Sequence, residues 1–490
     1  MQIQKPYNQA AIPRGFIYMH TFYWHDYETF GINPRRDRPS QFAGIRTDAE
    51  LNEIGKPLNI FCKPTPDYLP DPESCLLTGI TPQQCLENGV DEFEFAARIE
   101  AELAMPSTVG LGYNSIRFDD EVTRFMFWRN LIEPYSREWQ NDCSRWDLLD
   151  VVRTTYALRP EGIVWPTHDD GRPSFKLEHL TKANGISHEA AHDALSDVRA
   201  TIALARLIRE KQPKLFDFCF SLRKKDKVLE QIGLPNAKPF LHISGMFSAE
   251  RGCIALVWPL AMHPNNKNEI IVWDLAFDPS EIFKLDAETI RLRMFSKTAD
   301  LPEGVPRLPI KSIHINKSPI VIGNLKTLSS ERAAHWNIDV EQALAHAKIA
   351  ESAPDMSAIW QQVFTSEHAK SDVDEDLYGG FIGNNDKRLL AKLRNFSPEE
   401  LAKERVSFED SRLEEVLFRY RARNFPSTLT AAELQRWEQH RAAKLFDGTG
   451  GARTLEAFGE AIDTLSENVS EQQADILSAL FDYAESIMPD

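Results

Sequence analysis

Four carboxylates and one histidine have the residue types and the spacing to support hydrolytic chemistry. His25-Asp26-Tyr27-Glu28 falls in a run of strand-forming residues. Alternation along a strand puts Asp26 and Glu28 on one face, ~7 Å apart along the chain. Two carboxylates on one rigid edge suit a divalent cation held by oxygen ligands. Read alone, Asp-x-Glu is a very weak motif, and a pair of solvent-facing acids is its default explanation. Asp119 follows a Gly-Tyr-Asn turn at a predicted helix start, where Asp is favoured as a cap in any case. Asp120 competes with it for either role. His192 precedes Asp197 by five residues as a further helix begins. That spacing is not one helical face, so His192 is expected on the approach loop and Asp197 pointing inward. A histidine near a helix start also serves as a cap or a plain surface residue.

The segments around these residues predict a mixed α/β sheet. Strands are expected around 20–28, 41–48 and 58–64, then a helix over 91–104, a strand at 108–114 and a helix opening at Asp119. A further helix is expected over 148–159. Val198, Ile202, Ala205 and Ile208 then make one apolar stripe of an amphipathic helix. Beyond Pro213 the texture changes to short β-rich runs between about 240 and 325, and from about 330 helical spacing dominates. A length of 490 residues exceeds one ordinary core. Three domains are expected, at 20–212, 213–365 and 366–490.

Composition excludes more than it identifies. No stretch reaches the ~18 apolar residues that a membrane helix needs, and residues 1–20 do not read as a secretory leader, so a cytoplasmic location is expected. The six cysteines form no Cys-x-x-Cys pair, which argues against a zinc module and against a secreted disulfide framework. The net charge is −17, but residues 451–490 alone carry nine acids against one base. Residues 206–238 carry nine Lys/Arg against four Asp/Glu, a local basic stripe that either meets phosphates or is a solvated linker. No heptad pattern suggests self-association, and a monomer is expected.

Taken in order, Asp-x-Glu on the first strand, Asp after Gly-Tyr-Asn and His-x4-Asp resemble the DEDDh exonucleases. The Leu77–Thr81 segment also looks like the threonine-glycine turn of that superfamily. The resemblance extends over nearly the whole chain. Blocks at 24–31, 112–124, 144–153, 156–166, 174–186, 314–319 and 421–426 look like bacterial exonuclease I. It implies a ribonuclease H-like nuclease domain, an SH3-like β domain and a C-terminal helical domain. The implied activity is processive 3′→5′ hydrolysis of single-stranded DNA to 5′-mononucleotides, in DNA repair and recombination. Asp26, Glu28 and Asp197 would bind a first metal ion and Asp119 would help hold a second. Two magnesium ions (Mg2+) are expected, with manganese (Mn2+) able to substitute. His192, with an ordinary pKa of ~6.5, would take the proton of the attacking water.

The same resemblance implies DNA contacts at Thr123, Arg124, Tyr135, Trp139, Arg153, Lys225, Lys311 and Asn316. Glu28 and Lys176 would contact the substrate nucleotide. Family members can carry Arg where this chain has Lys176, and Lys lacks the bidentate fork for phosphate. A single-stranded DNA-binding protein is an implied partner, with Arg421 and Arg423 as candidate anchors for its acidic tail; their plain reading is an ion pair within the chain. Removing residues 365–490 is expected to weaken processivity more than chemistry. Two alternatives stay open: an exoribonuclease or proofreading-type nuclease with the same five residues, and a binding protein on a vestigial nuclease fold.

Overall fold

The computed structural model describes residues 20–188, 193–365 and 371–489. A first five-stranded sheet has the order β3-β2-β1-β4-β5. Its strands are β1 (Thr21–Thr29), β2 (Pro39–Thr47), β3 (Leu58–Phe61), β4 (Thr108–Gly112) and β5 (Ser144–Asp147). β2 runs antiparallel to β1 and β3, while β4 runs parallel to β1 and β5. Between β3 and β4 lie helices α1 (Pro72–Thr78), α2 (Pro82–Asn88) and α3 (Glu92–Leu103). Gly79 ends α1 at φ +71, a conformation that suits a residue without Cβ, and the Thr81 side chain caps α2 two residues on. The expected threonine-glycine turn is therefore a helix-to-helix corner.

Helix α4 (Asp119–Arg129) follows β4, then α5 (Leu148–Leu158), α6 (Leu177–Ala183) and α7 (Ala194–Lys211). On α7 the expected stripe is the buried face: Val198, Ile202, Ala205 and Ile208 are all at most 2% exposed. Helices α8 (Pro213–Ser221) and α9 (Lys225–Ile232) lead into a second five-stranded sheet. It contains β6 (Phe240–Ile243), β7 (Ile254–Met262), β8 (Glu269–Asp274), β9 (Ile310–His314) and β10 (Ile320–Ile322), in the order β10-β6-β7-β8-β9. Neighbours are antiparallel throughout. Helices Ser330–His335, Val340–Glu351 and Ser357–Val363 pack Ala333, Trp336, Ala343 and Trp360 into the core of this sheet. The remaining described chain is helical.

The apolar cores do not respect the boundaries between these units. One cluster joins Trp24, Trp146 and Ile202 around the first sheet to Phe216 on α8 and to Ile254 and Trp273 on the second sheet. A second joins Phe125, Trp128 and Leu131 to Leu377, Leu390, Leu393 and Leu413 of the C-terminal unit. A third puts Phe30, Tyr68 and Cys75 against Phe458, Leu477 and Tyr483. Helix α4 therefore lies between the first sheet and the C-terminal helices. Every residue of it except Glu121 is buried. The six cysteines are free and buried, as expected of reduced thiols in cores. Among the described residues, no helix is long and apolar enough to cross a membrane.

Candidate active site

Strand β1 outruns its parallel neighbour. Pairing with β4 ends at Trp24–Leu111, whereas pairing with β2 continues through Asp26–Ala43 and Glu28–Gln41. The Tyr27 amide beyond that end is taken by a carboxylate from the next layer, donating to Asp119 Oδ1 at 3.0 Å. Close approach is required here: a Cβ on Gly112 would lie 2.5 Å from the His25 carbonyl oxygen. Alternation does the rest. His25 and Tyr27 are buried in aromatic packing with Phe42, leaving Asp26 and Glu28 on the opposite face.

Asp197, in the first turn of α7, meets that face. Carboxylate oxygens of Asp26, Glu28 and Asp197 all lie within 4.8 Å of one another. Burial, followed by the charges of Asp119, Glu28 and Asp197, holds the Asp26 carboxyl well above the usual range. Burial and then Asp197 and Asp119 push Glu28 up to about 8. Burial likewise pushes Asp119 up to about 8, against the opposing hydrogen bond from the Tyr27 amide. Carboxylates crowded this closely in a low dielectric are costly as a set of anions. A divalent cation among the oxygens would relieve that repulsion, so the donor set fits one.

Asp120 does not share this role. It is buried between two guanidinium groups, with Arg137 Nη2 at 2.5 Å and Arg145 Nη1 at 2.9 Å. Burial alone would raise its carboxyl, but Arg137 and Arg145 outweigh burial and hold it below the usual range. The competition between neighbouring acids is thus resolved by position: Asp119 faces the cluster and Asp120 anchors the helix beneath it. Thr123 is fully buried one turn on, its hydroxyl donating to the Asp119 carbonyl oxygen at 2.8 Å and lying 2.9 Å from Tyr27 Oη.

His192 lies outside the described residues. A second histidine, not anticipated from the sequence, does reach the cluster. His188 Nε2 hydrogen-bonds Asp197 Oδ1, and its Nδ1 lies 3.2 Å from Thr181 Oγ1. Asp193 is a further anion, capping α7 through Ser196 N–H and accepting from Gln41 Nε2, the residue paired with Glu28. His188 stands nine residues before Asp197, a separation with no helical or strand periodicity, so only the folded loop brings the two together.

The other expected positions are in varied surroundings. Trp139 is 64% exposed, whereas Tyr135 is half-buried with the Arg124 guanidinium 5.2 Å from its ring centroid. Arg124 is buried and bonded to Glu138 at 2.7 Å, Glu121 at 2.6 Å and Tyr378 at 3.1 Å. Arg153 pairs with Asp150 at 2.6 Å, and Lys225 donates to Asn268 at 2.6 Å. Lys311 is half-buried, and burial lowers its ammonium. Asn316 is exposed and accepts through its carbonyl from Arg145 at 3.2 Å. Lys176 is exposed, 3.5 Å from Glu178. Arg421 pairs with Glu433 at 2.7 Å, and Arg423 is buried between Asp67 and Asp374. Both are internal ion pairs, as their plain reading had it.

Comparison with known proteins places this geometry. The exonuclease family model matches residues 23–205, the exonuclease I SH3-like domain matches 223–366, and the exonuclease I C-terminal domain matches 371–487. Exodeoxyribonuclease I of Escherichia coli (strain K12) is 46% identical over 473 residues, covering 96% of this chain and 98% of that protein. Exonuclease I of Methylocaldum szegediense superposes with a TM-score of 0.91 at 48% identity, covering 96% of this chain and 99% of that one. Escherichia coli exonuclease I in complex with a dA16 oligonucleotide superposes at 0.90 with 45% identity, covering 96% and 100%. A ribonuclease H-like nuclease domain followed by an SH3-like domain and a helical C-terminal domain is therefore the architecture, and the chain belongs to the exonuclease I family.

Proposed function

We propose that this protein is a magnesium-dependent, processive 3′→5′ exodeoxyribonuclease that removes 5′-mononucleotides from single-stranded DNA during repair and recombination. The observation that carries the reading is the convergence of Asp26, Glu28 and Asp197 to within 4.8 Å, with Asp119 pinned beside them by the Tyr27 amide. Asp26, Glu28 and Asp197 would hold one divalent ion, and Asp119 would help hold a second. Bound there, such ions supply the charge that lowers the pKa of an attacking water and steadies the leaving oxygen. Magnesium suits these hard oxygen donors, and manganese substitutes. A solved Escherichia coli relative carries zinc in its complex with single-stranded DNA, which supports metal use here.

In this reading His192 takes the proton of the attacking water, and His188 fixes the orientation of Asp197. Glu28 and Lys176 contact the terminal nucleotide. Thr123, expected as a DNA contact, is fully buried and out of reach of a strand; it acts from below by fixing the turn that presents Asp119. Tyr135 and Trp139 offer faces for bases, while Arg124, Arg153, Lys225, Lys311 and Asn316 line a path for phosphates. Arg124 would have to exchange a carboxylate for a phosphate to do so. The domains are taken as 20–212, 213–365 and 366–490, in a monomer working in the cytoplasm with single-stranded DNA-binding protein as a partner. Arg421 and Arg423, the candidate anchors for that partner's acidic tail, would each have to exchange an ion pair within the chain to serve it.

The nuclease alternatives separate on substrate. With equal concentrations of labelled single-stranded DNA, duplex DNA and RNA in magnesium, only the single-stranded DNA is expected to shorten. Faster loss of RNA would move the protein to the exoribonuclease class.

A further inference from the structure

The first turn of α4 carries three successive carboxylates that leave it in three directions. Asp119 faces the metal-binding cluster, and Asp120 is sealed between Arg137 and Arg145. Glu121, the only residue of α4 that is not buried, turns outward to both other domains. Its Oε1 accepts from Arg124 Nη1 at 2.6 Å and lies 3.5 Å from Lys317 Nζ, in the turn between β9 and β10. Its Oε2 accepts from Tyr378 Oη of the C-terminal domain. Arg124 closes the arrangement by donating to Tyr378 Oη at 3.1 Å. The β9–β10 turn is held on either side of Lys317 as well. The Asn316 carbonyl accepts from Arg145 Nη2, and Ser318 Oγ donates to the Arg145 carbonyl at 2.8 Å.

We propose that Glu121 is a positioning residue that clasps the SH3-like and C-terminal domains onto the nuclease helix and so keeps a strand enclosed between successive cuts. This rests on the exonuclease reading and adds the device that would make it processive. Elsewhere the domains are joined by shared apolar cores and by ion pairs such as Arg423–Asp67 and Arg36–Glu375, each of which reaches one outer domain. Those cores are large and hold the domains together permanently. Glu121 is a single polar junction, two residues along the chain from the metal-binding Asp119, and one carboxylate reaches both outer domains. A junction of this kind exchanges a few hydrogen bonds without disturbing the packed cores, so the Lys317 turn and the Tyr378 side chain yield locally while the domains stay together.

The test uses the full-length chain carrying E121Q, Y378F, K317M and the Y378F/K317M pair. Two readouts are compared: nucleotides removed per encounter from a long labelled oligothymidylate in the presence of excess unlabelled trap, and the single-turnover cleavage rate of a tetranucleotide. E121Q is expected to lower the number removed per encounter about tenfold, with Y378F and K317M each giving a part of that loss, as befits a few charge-assisted hydrogen bonds. The double variant should match E121Q, and the tetranucleotide rate should stay at the parental value. An E121Q protein as processive as its parent would overturn the clasp and leave the exonuclease reading standing. Equal loss on both substrates would also overturn it, by assigning Glu121 to the integrity of α4. A parent that leaves single-stranded DNA intact in magnesium would overturn the exonuclease reading and the clasp with it.

Discussion

At the scale of residues, the site is a set of acids that repel one another. Glu28 and Asp119 are pushed up to about 8, whereas carboxylates in an unfolded chain titrate near ~4. Between those values the folded protein holds protons that the unfolded chain has released. Without metal, stability from these groups is therefore full at acid pH and is lost as pH rises through about 8. In EDTA, the Tm of the parent minus that of Glu28→Gln is expected to fall between mildly acidic and mildly alkaline pH. Magnesium should restore it at the alkaline end. A difference that grows more positive with pH in EDTA would contradict the assigned repulsion. Replacing Asp119 by Asn should cut single-turnover hydrolysis by about a thousandfold while single-stranded DNA still binds. Wild-type rates would remove Asp119 from the chemistry.

The order and types of the four acids were legible in the sequence, because strand alternation and a turn-to-helix junction are local features. The partition of Asp119 from Asp120 was not. It depends on Arg137 and Arg145, which arrive from a 3-10 turn and from β5. His188 was missed for the same reason, since its loop has no periodicity to read.

At the scale of elements, β1, β2, α3, α4, α5 and α7 follow their sequence patterns closely, each being long enough to show one. Strand β5 was not anticipated: Ser144–Asp147 is four residues with two charges, and its conformation comes from parallel pairing with β4. The short helices α1, α2 and α6 escaped for want of length; α1 and α2 are set by the caps Asp71 and Thr81 rather than by an apolar stripe. The position of α4 depends on the Arg137–Asp120–Arg145 triad. Asp120→Ala would leave the buried Arg137 guanidinium without its hydrogen-bonded carboxylate and Arg145 with Glu138 alone, and a loss of about 3–5 kcal/mol in urea unfolding is expected. A loss within about 0.5 kcal/mol, the range of ordinary surface substitutions, would show that the triad does not anchor the helix.

At the scale of the whole molecule, the three-unit plan was visible as a change of texture, but the sharing of cores was not. Periodicity reports which face of a helix is apolar and is silent on what covers it. Phe125, Trp128 and Leu131 are covered by Leu377, Leu390 and Leu393, and Phe30 and Tyr68 by Phe458 and Leu477. Removing residues 365–490 would expose those side chains together. The expected result is an insoluble or partly unfolded chain, not the selective processivity defect that a beads-on-a-string reading predicts. A soluble truncation that cleaves a tetranucleotide at the parental rate would contradict the shared cores.

The central claim is metal-dependent removal of nucleotides from the 3′ end by the Asp26 cluster. The most direct measurement follows 5′-labelled single-stranded DNA over time with the purified protein in magnesium, in EDTA, and with Asp26→Ala in magnesium. A ladder shortening from the 3′ end is expected in magnesium alone, with intact DNA in the other two lanes. Shortening that persists in EDTA or in Asp26→Ala, or a label released at once as a mononucleotide from the 5′ end, would contradict it.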